Sequence, residues 1–412
     1  MSQLAYLGGK PITKNLLKKS DLKFRHDLER KYLLEAYDSG NWDDWPGRDS
    51  MAARFDKEWA DFNNSKFCAL LTNGTHTLQL ALETLDIGPG DEVIVPGLTW
   101  QATASAVCDV NAVPIIVDID PETLCIDPDK IQEAITPNTR AIIPVHLYHR
   151  MAEMDKILEI ANKHNLYVIE DCAHTHGSQW NGKGAGTIGD FGSYSFQRSK
   201  LLNSGEGGAL LMQNEEFYWK VVSQRSCGRE MKSGIKVHSG NYRITSFQAA
   251  ILLGQLQALH QNAIIIDHNG SALDKAVANA PGVKPLVRNQ KITRQCSYAF
   301  IFLYDKEMLD GLEVSVFRKA LSAELGITFN TTYSPLNRSE VYFPHTKKRH
   351  QLNPTYVEAI NPARWKLPVS NDLWENKAVL ARWNIFGCPP DRVHLLTDAI
   401  VKIYENRSQL IP

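Results

Sequence analysis

The chain has 412 residues, 43% of them hydrophobic, and its 45 basic and 46 acidic side chains leave a net charge of −1. That length and apolar content suffice for a large buried core, arranged as two domains or as one large domain with an appendage. The charge balance supplies no global field for nucleic acid or an acidic membrane surface, so neither is an expected partner. The N-terminal lysines, Lys10, Lys14, Lys18 and Lys19, precede no apolar signal segment, and no apolar run reads as long enough to span a bilayer, so the expected location is cytoplasmic. The seven cysteines are scattered without C-x-x-C spacing, mostly in apolar runs, which predicts reduced core thiols and no metal site.

Residues 1–54 read as a polar, irregular arm with one amphipathic helix over 27–37 that ends near Ser39 and Gly40. The loop NWDDWPG, 41–47, sets Trp42 and Trp45 beside Pro46 and Gly47, either to cap a pocket or to dock the arm. From 67 the pattern becomes regular. Apolar strand candidates at 68–71, 92–95, 114–117, 141–145 and 167–169 alternate with helical stretches at 75–86, 99–110, 127–135 and 152–164. Strands that are apolar throughout and separated by helices predict an α/β fold with a mostly parallel sheet covered on both faces, and ligands at the carboxyl ends of its strands. A large domain is expected over 55–268, ending in a helix over 246–268. A smaller α+β domain follows over 269–412, with a strand at 298–303 and helices at 314–324 and 391–404.

The stretch FGSYSFQRSKLLNSGEGGAL, 191–210, joins an apolar run to a single lysine and then to a glycine-rich return. An amine that condenses with an aldehyde must spend time uncharged, so a partly desolvated lysine on such a turn suits that chemistry, and Lys200 is the candidate. Asp171, at the end of the run LYVIED, suits a carboxylate that keeps a pyridine nitrogen protonated. The pair points to pyridoxal 5′-phosphate. Asn73-Gly74-Thr75 lies between a strand and a helix, where free N–H groups attract phosphate, although Thr75 also fits a plain N-cap. Trp100, after Pro96-Gly97-Leu98-Thr99, can cover a cofactor ring or fill the core. Glu206, among Gly205, Gly207 and Gly208, fits either a catalytic acid or a tight turn. Arg225 and Arg229 fit either an anion site or ion pairs.

Taken together, the lysine segment with its S-x-x-x-x-K-x-x-x-x-G-E-G-G pattern, NGTHTL at 73–78, EDCAHTHG at 170–177 and NYR at 241–243 resemble the DegT/DnrJ/EryC1/StrS aminotransferases. The resemblance implies a fold-type-I aminotransferase in which Lys200 carries the cofactor and Asp171 holds its ring nitrogen. It further implies that Gly74, Thr75, Ser195 and Gln197 surround the phosphate, that Trp100 covers the ring and that His174 lies near the ring hydroxyl. Asn241 would reach the phosphate of a neighbouring subunit, implying a homodimer with shared sites. His149 stands where the family often has glycine after the tyrosine of PVHLY, which affects the local turn. Within the family, EVIVPGLTWQATASAV at 92–107, CIDPDKI at 125–131 and YFPHTKKRH at 342–350 are most similar to glutamine-dependent inosose aminotransferases of aminocyclitol biosynthesis. The implied substrates are a keto-cyclitol or keto-sugar and an amino donor, glutamine or glutamate. A nucleotide-sugar acceptor, with Lys347, Lys348 and Arg349 lining a diphosphate groove, a 3-amino-5-hydroxybenzoate synthase-like activity and a cofactor-binding regulator are the alternatives.

Overall fold

The computed structural model describes residues 3–45, 49–232 and 234–411; Pro46 and Gly47 of the tryptophan loop lie outside the described residues. The first helices are α1 (His26–Ser39), ended by Gly40 at φ 69°, and α2 (Met51–Asn63), started by Ser50, whose hydroxyl accepts from the Ala53 N–H. Strands and helices then alternate: β1 (Phe67–Leu71), α3 (Gly74–Thr84), β2 (Glu92–Pro96), α4 (Ala102–Asp109), β3 (Val113–Val117), α5 (Pro128–Ala134), β4 (Thr139–Ile142), α6 (Met154–His164) and β5 (Tyr167–Asp171). A short ribbon follows, β6 (Gln179–Trp180) and β7 (Lys183–Gly184), and then β8 (Phe191–Ser195) and β9 (Gly208–Met212).

Seven of these strands form one sheet in the order β1-β9-β8-β5-β4-β2-β3. Pairing is parallel from β8 to β3, whereas β9 runs antiparallel to both β8 and β1. The strands are buried almost throughout, as a parallel sheet covered on both faces requires.

Helix α7 (Glu215–Arg225) leads to α8 (Ser246–Ala278), which begins with a capping box formed by Thr245 and Gln248. The expected stop at 268 falls inside α8. Gly270 lies inside the helix, where a Cβ would come 2.9 Å from Nε2 at the end of the Gln295 side chain. By length and composition α8 could cross a membrane, which the apolar run did not suggest, yet most of its apolar window is buried in the core beside α1 and α2.

Beyond α8, β10 (Val283–Pro285), β12 (Ala299–Tyr304) and β13 (Ala378–Arg382) make a small antiparallel sheet, while β11 (Ile292–Arg294) joins the β6–β7 ribbon. Helix α9 (Val314–Leu325) and the helix His394–Glu405 accompany the small sheet. The N-terminal arm is irregular up to residue 25 apart from a short 3-10 turn at Ala5–Leu7, and it is packed against the body. Leu4 and Leu16 are fully buried, and the Ala5 and Ile12 N–H groups donate to the Glu324 carboxylate of α9 at 2.8 and 3.1 Å. Six of the seven cysteines are buried free thiols and Cys227 is exposed, so the expected reduced core holds with one exception.

Candidate active site

Parallel pairing brings the carboxyl ends of β2, β5 and β8 to one edge of the sheet, and the antiparallel β9 returns the chain there after a loop. The end of β1 adds Asn73, whose side chain caps α3 by accepting from the His76 N–H at 2.9 Å. Asn73 is therefore the N-cap, leaving Gly74 and Thr75 on the first turn with N–H groups unused by the helix. Gly74 tolerates no side chain: a Cβ would lie 2.7 Å from the Ser195 Cβ. These residues line an open cavity of about 510 Å³, together with Trp100, Asp171, His174 and Lys200.

The lysine loop is held from within. Gln197 Oε1 accepts from the Ser199 N–H and Oγ–H at 2.8 and 2.7 Å, and Asn203 Nδ2 donates to the Lys200 carbonyl at 3.1 Å. Gly205 and Gly207 turn the chain back at φ 84° and 155°, and the Glu206 carbonyl is tied to Gln248 at 2.8 Å. Glu206 lines the cavity from this turn. Lys200 is buried, its Nζ 4.6 Å over the Tyr298 ring, and desolvation lowers its pKa to about 8 against the opposing pull of Asp171. It is thus a lysine with a sizeable neutral fraction near physiological pH.

Asp171 accepts from Thr103 Oγ1 at 2.9 Å and from the Ala173 N–H at 3.1 Å. Burial raises its pKa, opposed by those two bonds and by Lys200 and His146. A cation placed against it would favour the ionised form. His174 is stacked on Tyr298 at 4.2 Å between ring centroids; its Nδ1 accepts the Tyr148 N–H at 3.2 Å, and its Nε2 lies 3.2 Å from the Tyr333 hydroxyl. Desolvation, then Lys200, holds its pKa well below the ordinary value, so the ring is neutral. Trp100 is 49% exposed and 5.6 Å from the Tyr333 ring, lining the cavity instead of filling the core.

Other sequence candidates are placed elsewhere. Asn241 is exposed, accepts from the Arg243 N–H at 3.2 Å and does not line this chain's cavity. Arg225 is buried against Asp44 at 2.8 Å and Asp56 at 3.4 Å, and Arg229 covers Trp45 at 4.8 Å. Trp42 rests on Tyr37 and Phe247, so this loop docks the arm. His149 points away from the cavity into the core, 5.1 Å from the Phe300 ring and 3.6 Å from Asp274. The turn before it is made by Tyr148 at φ 55°. Lys347 and Arg349 pair with Asp109 at the end of α4, at 3.1 and 3.4 Å, rather than lining the cavity. Tyr298, Thr103 and Ser199 are the site residues that the sequence reading missed. Tyr298 comes from the turn before β12 and carries no local signal.

His146, Glu170 and Cys172 place potential metal-ligating atoms within 4.8 Å of one another. Their donors and acceptors are already used. His146 Nδ1 accepts the Ala152 N–H, its Nε2–H donates to Glu170 at 2.9 Å, and Glu170 accepts three further N–H groups.

The strand order and the lysine loop between β8 and β9 define the α/β fold of the fold-type-I aminotransferases. The chain belongs to the DegT/DnrJ/EryC1/StrS aminotransferase family, whose model matches residues 25–381. It is 36% identical to an L-glutamine:2-deoxy-scyllo-inosose aminotransferase of Streptomyces kanamyceticus, over 90% of both chains. It is also 36% identical to an L-glutamine:scyllo-inosose aminotransferase of Streptomyces griseus, over 92% of this chain and 93% of the other. The crystal structure of 3-amino-5-hydroxybenzoic acid synthase superposes with a TM-score of 0.79 at 27% identity, covering 94% of this chain and 100% of that one.

Proposed function

We propose that the protein is a pyridoxal-phosphate-dependent aminotransferase that moves an amino group from L-glutamine to a keto-cyclitol of the inosose type. The observation that carries the cofactor assignment is the convergence, in one cavity, of a buried lysine, a buried aspartate and an open helix N-terminus. Each fits one part of the group. The first turn of α3 at Gly74 and Thr75, with Ser195 and Gln197, would hold the phosphate. Asp171 would pair with the ring nitrogen, Trp100 would cover a ring face and His174 would stand near the ring hydroxyl. When bound, the cofactor supplies an electron sink for the substrate α-carbon.

The chain's own residues then do the rest. Lys200 would hold the cofactor through its amine and, once free, would move a proton at the substrate carbon as general base and acid. Its depressed pKa suits that exchange at neutral pH. The donor leaves before the acceptor enters, giving ping-pong order.

The cyclitol assignment is supported by the named relatives and by the cavity itself. Lys200 is the one lysine or arginine among the described residues that line it, while hydroxyl, amide and aromatic groups dominate. A nucleotide diphosphate calls for fixed cations, and Lys347 and Arg349 are engaged by Asp109. Steady-state assays with glutamine test the assignment. Turnover of scyllo-inosose or 2-deoxy-scyllo-inosose is expected, and a clear preference for a nucleotide-linked keto-sugar overturns it.

The exposed position of Asn241 fits a homodimer in which it completes the neighbouring site, in a cytoplasmic enzyme without nucleic-acid or membrane partners. Mixing inactive Lys200→Ala and Asn241→Ala subunits should restore activity at one of two sites. No recovery after demonstrated subunit exchange rejects the shared site.

A further inference from the structure

The hydroxyl groups of the cavity wall are ordered, and their order starts at the backbone. The Tyr148 N–H donates to His174 Nδ1 at 3.2 Å, so that nitrogen carries no proton. The ring is neutral, so its proton sits on Nε2 and is donated to the Tyr333 oxygen at 3.2 Å. Tyr333 and Tyr298 both pack on the His174 ring, at 5.8 and 4.2 Å between centroids. Tyr298 donates to Ser199 Oγ at 3.4 Å, and Ser199 donates to Gln197 Oε1 at 2.7 Å. Donation therefore runs from the Tyr148 N–H through His174 to Tyr333, and along a second run from Tyr298 through Ser199 to Gln197. Tyr298 uses its proton on Ser199 and keeps a lone pair for a ligand, while the Tyr333 oxygen is oriented by His174.

The rings are fixed as well. The Tyr333 N–H donates to the Tyr148 hydroxyl at 2.8 Å, Tyr333 rests 5.6 Å from Trp100, and Tyr298 is stacked on His174 with an interplanar angle of 9°. A wall of this kind is preorganised to hydrogen-bond a ligand. It suits a ligand rich in O–H groups.

We propose that Tyr298 and Tyr333 are specificity-determining residues of the acceptor site, each offering its phenolic hydroxyl to a ring hydroxyl of a neutral polyol ketone, Tyr298 as hydrogen-bond acceptor. The inference rests on the keto-cyclitol reading and adds to it the residues that read the ring.

The test uses the full-length holoenzyme and its Tyr333→Phe and Tyr298→Phe variants. The glutamine half-reaction is followed spectroscopically, and kcat/KM is measured with scyllo-inosose and 2-deoxy-scyllo-inosose. In Tyr333→Phe, kcat/KM for at least one cyclitol should fall by about tenfold more than the glutamine half-reaction, the worth of one neutral hydrogen bond. Equal losses in both halves, or no loss, overturn the proposal. Tyr298 adjoins Lys200, so if Tyr298→Phe impairs both halves, Tyr333→Phe alone decides, because it keeps the ring against Trp100. A wild-type enzyme that turns over glutamine but neither cyclitol overturns the keto-cyclitol reading and this inference together. A wild-type enzyme active on cyclitols with an unaffected Tyr333→Phe variant overturns this inference alone.

Discussion

Glu170 and Asp171 are consecutive carboxylates at the end of β5, and alternation along the strand sends them to opposite faces of the sheet. Glu170 is fully buried and accepts four hydrogen bonds, from His146 and from the N–H groups of Gly186, Ile188 and Gly189. Asp171 accepts two and faces the cavity, with burial working against its charge. One strand end therefore carries a carboxylate whose partners all belong to the fold and a carboxylate whose last partner must come from outside it. Complete internal satisfaction marks a structural group, whereas a shortfall at a cavity marks a functional one.

Substitutions on the Asp171 side should produce the largest effects, and they should be effects on activity. Lys200→Ala is expected to lower transamination by about 10²–10⁴-fold and to remove the visible absorption of the bound cofactor; full turnover in that variant would falsify the site. Asp171→Asn should cost about a hundredfold or more in kcat/KM while leaving thermal stability close to wild type. The opposite face should answer in stability. Glu170→Gln is expected to lower unfolding free energy by about 3 kcal/mol, because an amide NH2 replaces a buried carboxylate oxygen that accepts from N–H groups. If denaturation showed Asp171→Asn to be the more damaging of the two, the comparison would fail.

A smaller effect concerns pH. In cofactor-free protein Lys200 titrates near 8, below the ordinary 10.5, so between those values the unfolded chain binds the extra proton. Folding stability relative to Lys200→Met should therefore be lowest below pH 8 and should recover as pH rises from about 8 to 10.5. A flat difference across that window contradicts a desolvated amine. The smallest effect is expected far from both carboxylates: Lys347→Ala with Arg349→Ala removes exposed pairs to Asp109 and should leave kcat/KM for an inosose within about twofold.

Where a site residue sits at the end of an apolar run, the sequence was enough to find it. Lys200, Asp171, Gly74 and Trp100 all follow strands whose burial made them readable, and all line the cavity. The apolar runs themselves foretold β1 to β5 to within a few residues. Tyr298 and Thr103 were not readable because their importance comes from contacts across the fold, with Lys200 and Asp171 respectively. Helix α7 was missed because its apolar residues do not keep to one face, whereas α2 was overlooked although Met51, Phe55 and Trp59 recur every fourth residue on its buried face. The sequence reading ended α8 at 268, whereas the helix runs on to Ala278. Arg225 looked like an anion site for want of its buried partners Asp44 and Asp56, which lie far away in the chain.

Near its start α8 grips the lysine loop, through Gln248 on the Glu206 carbonyl and Gln255 on the Asn203 N–H. Near its end Asp274 holds Arg150, which also bonds to the Leu286 and Val287 carbonyls. A helix of this length spans about 50 Å. The catalytic turn and the small sheet are thus mounted on one continuous axle, and a cut at 268 would sever it, so fragments divided there inherit neither a complete grip on the lysine nor an anchored C-terminal half.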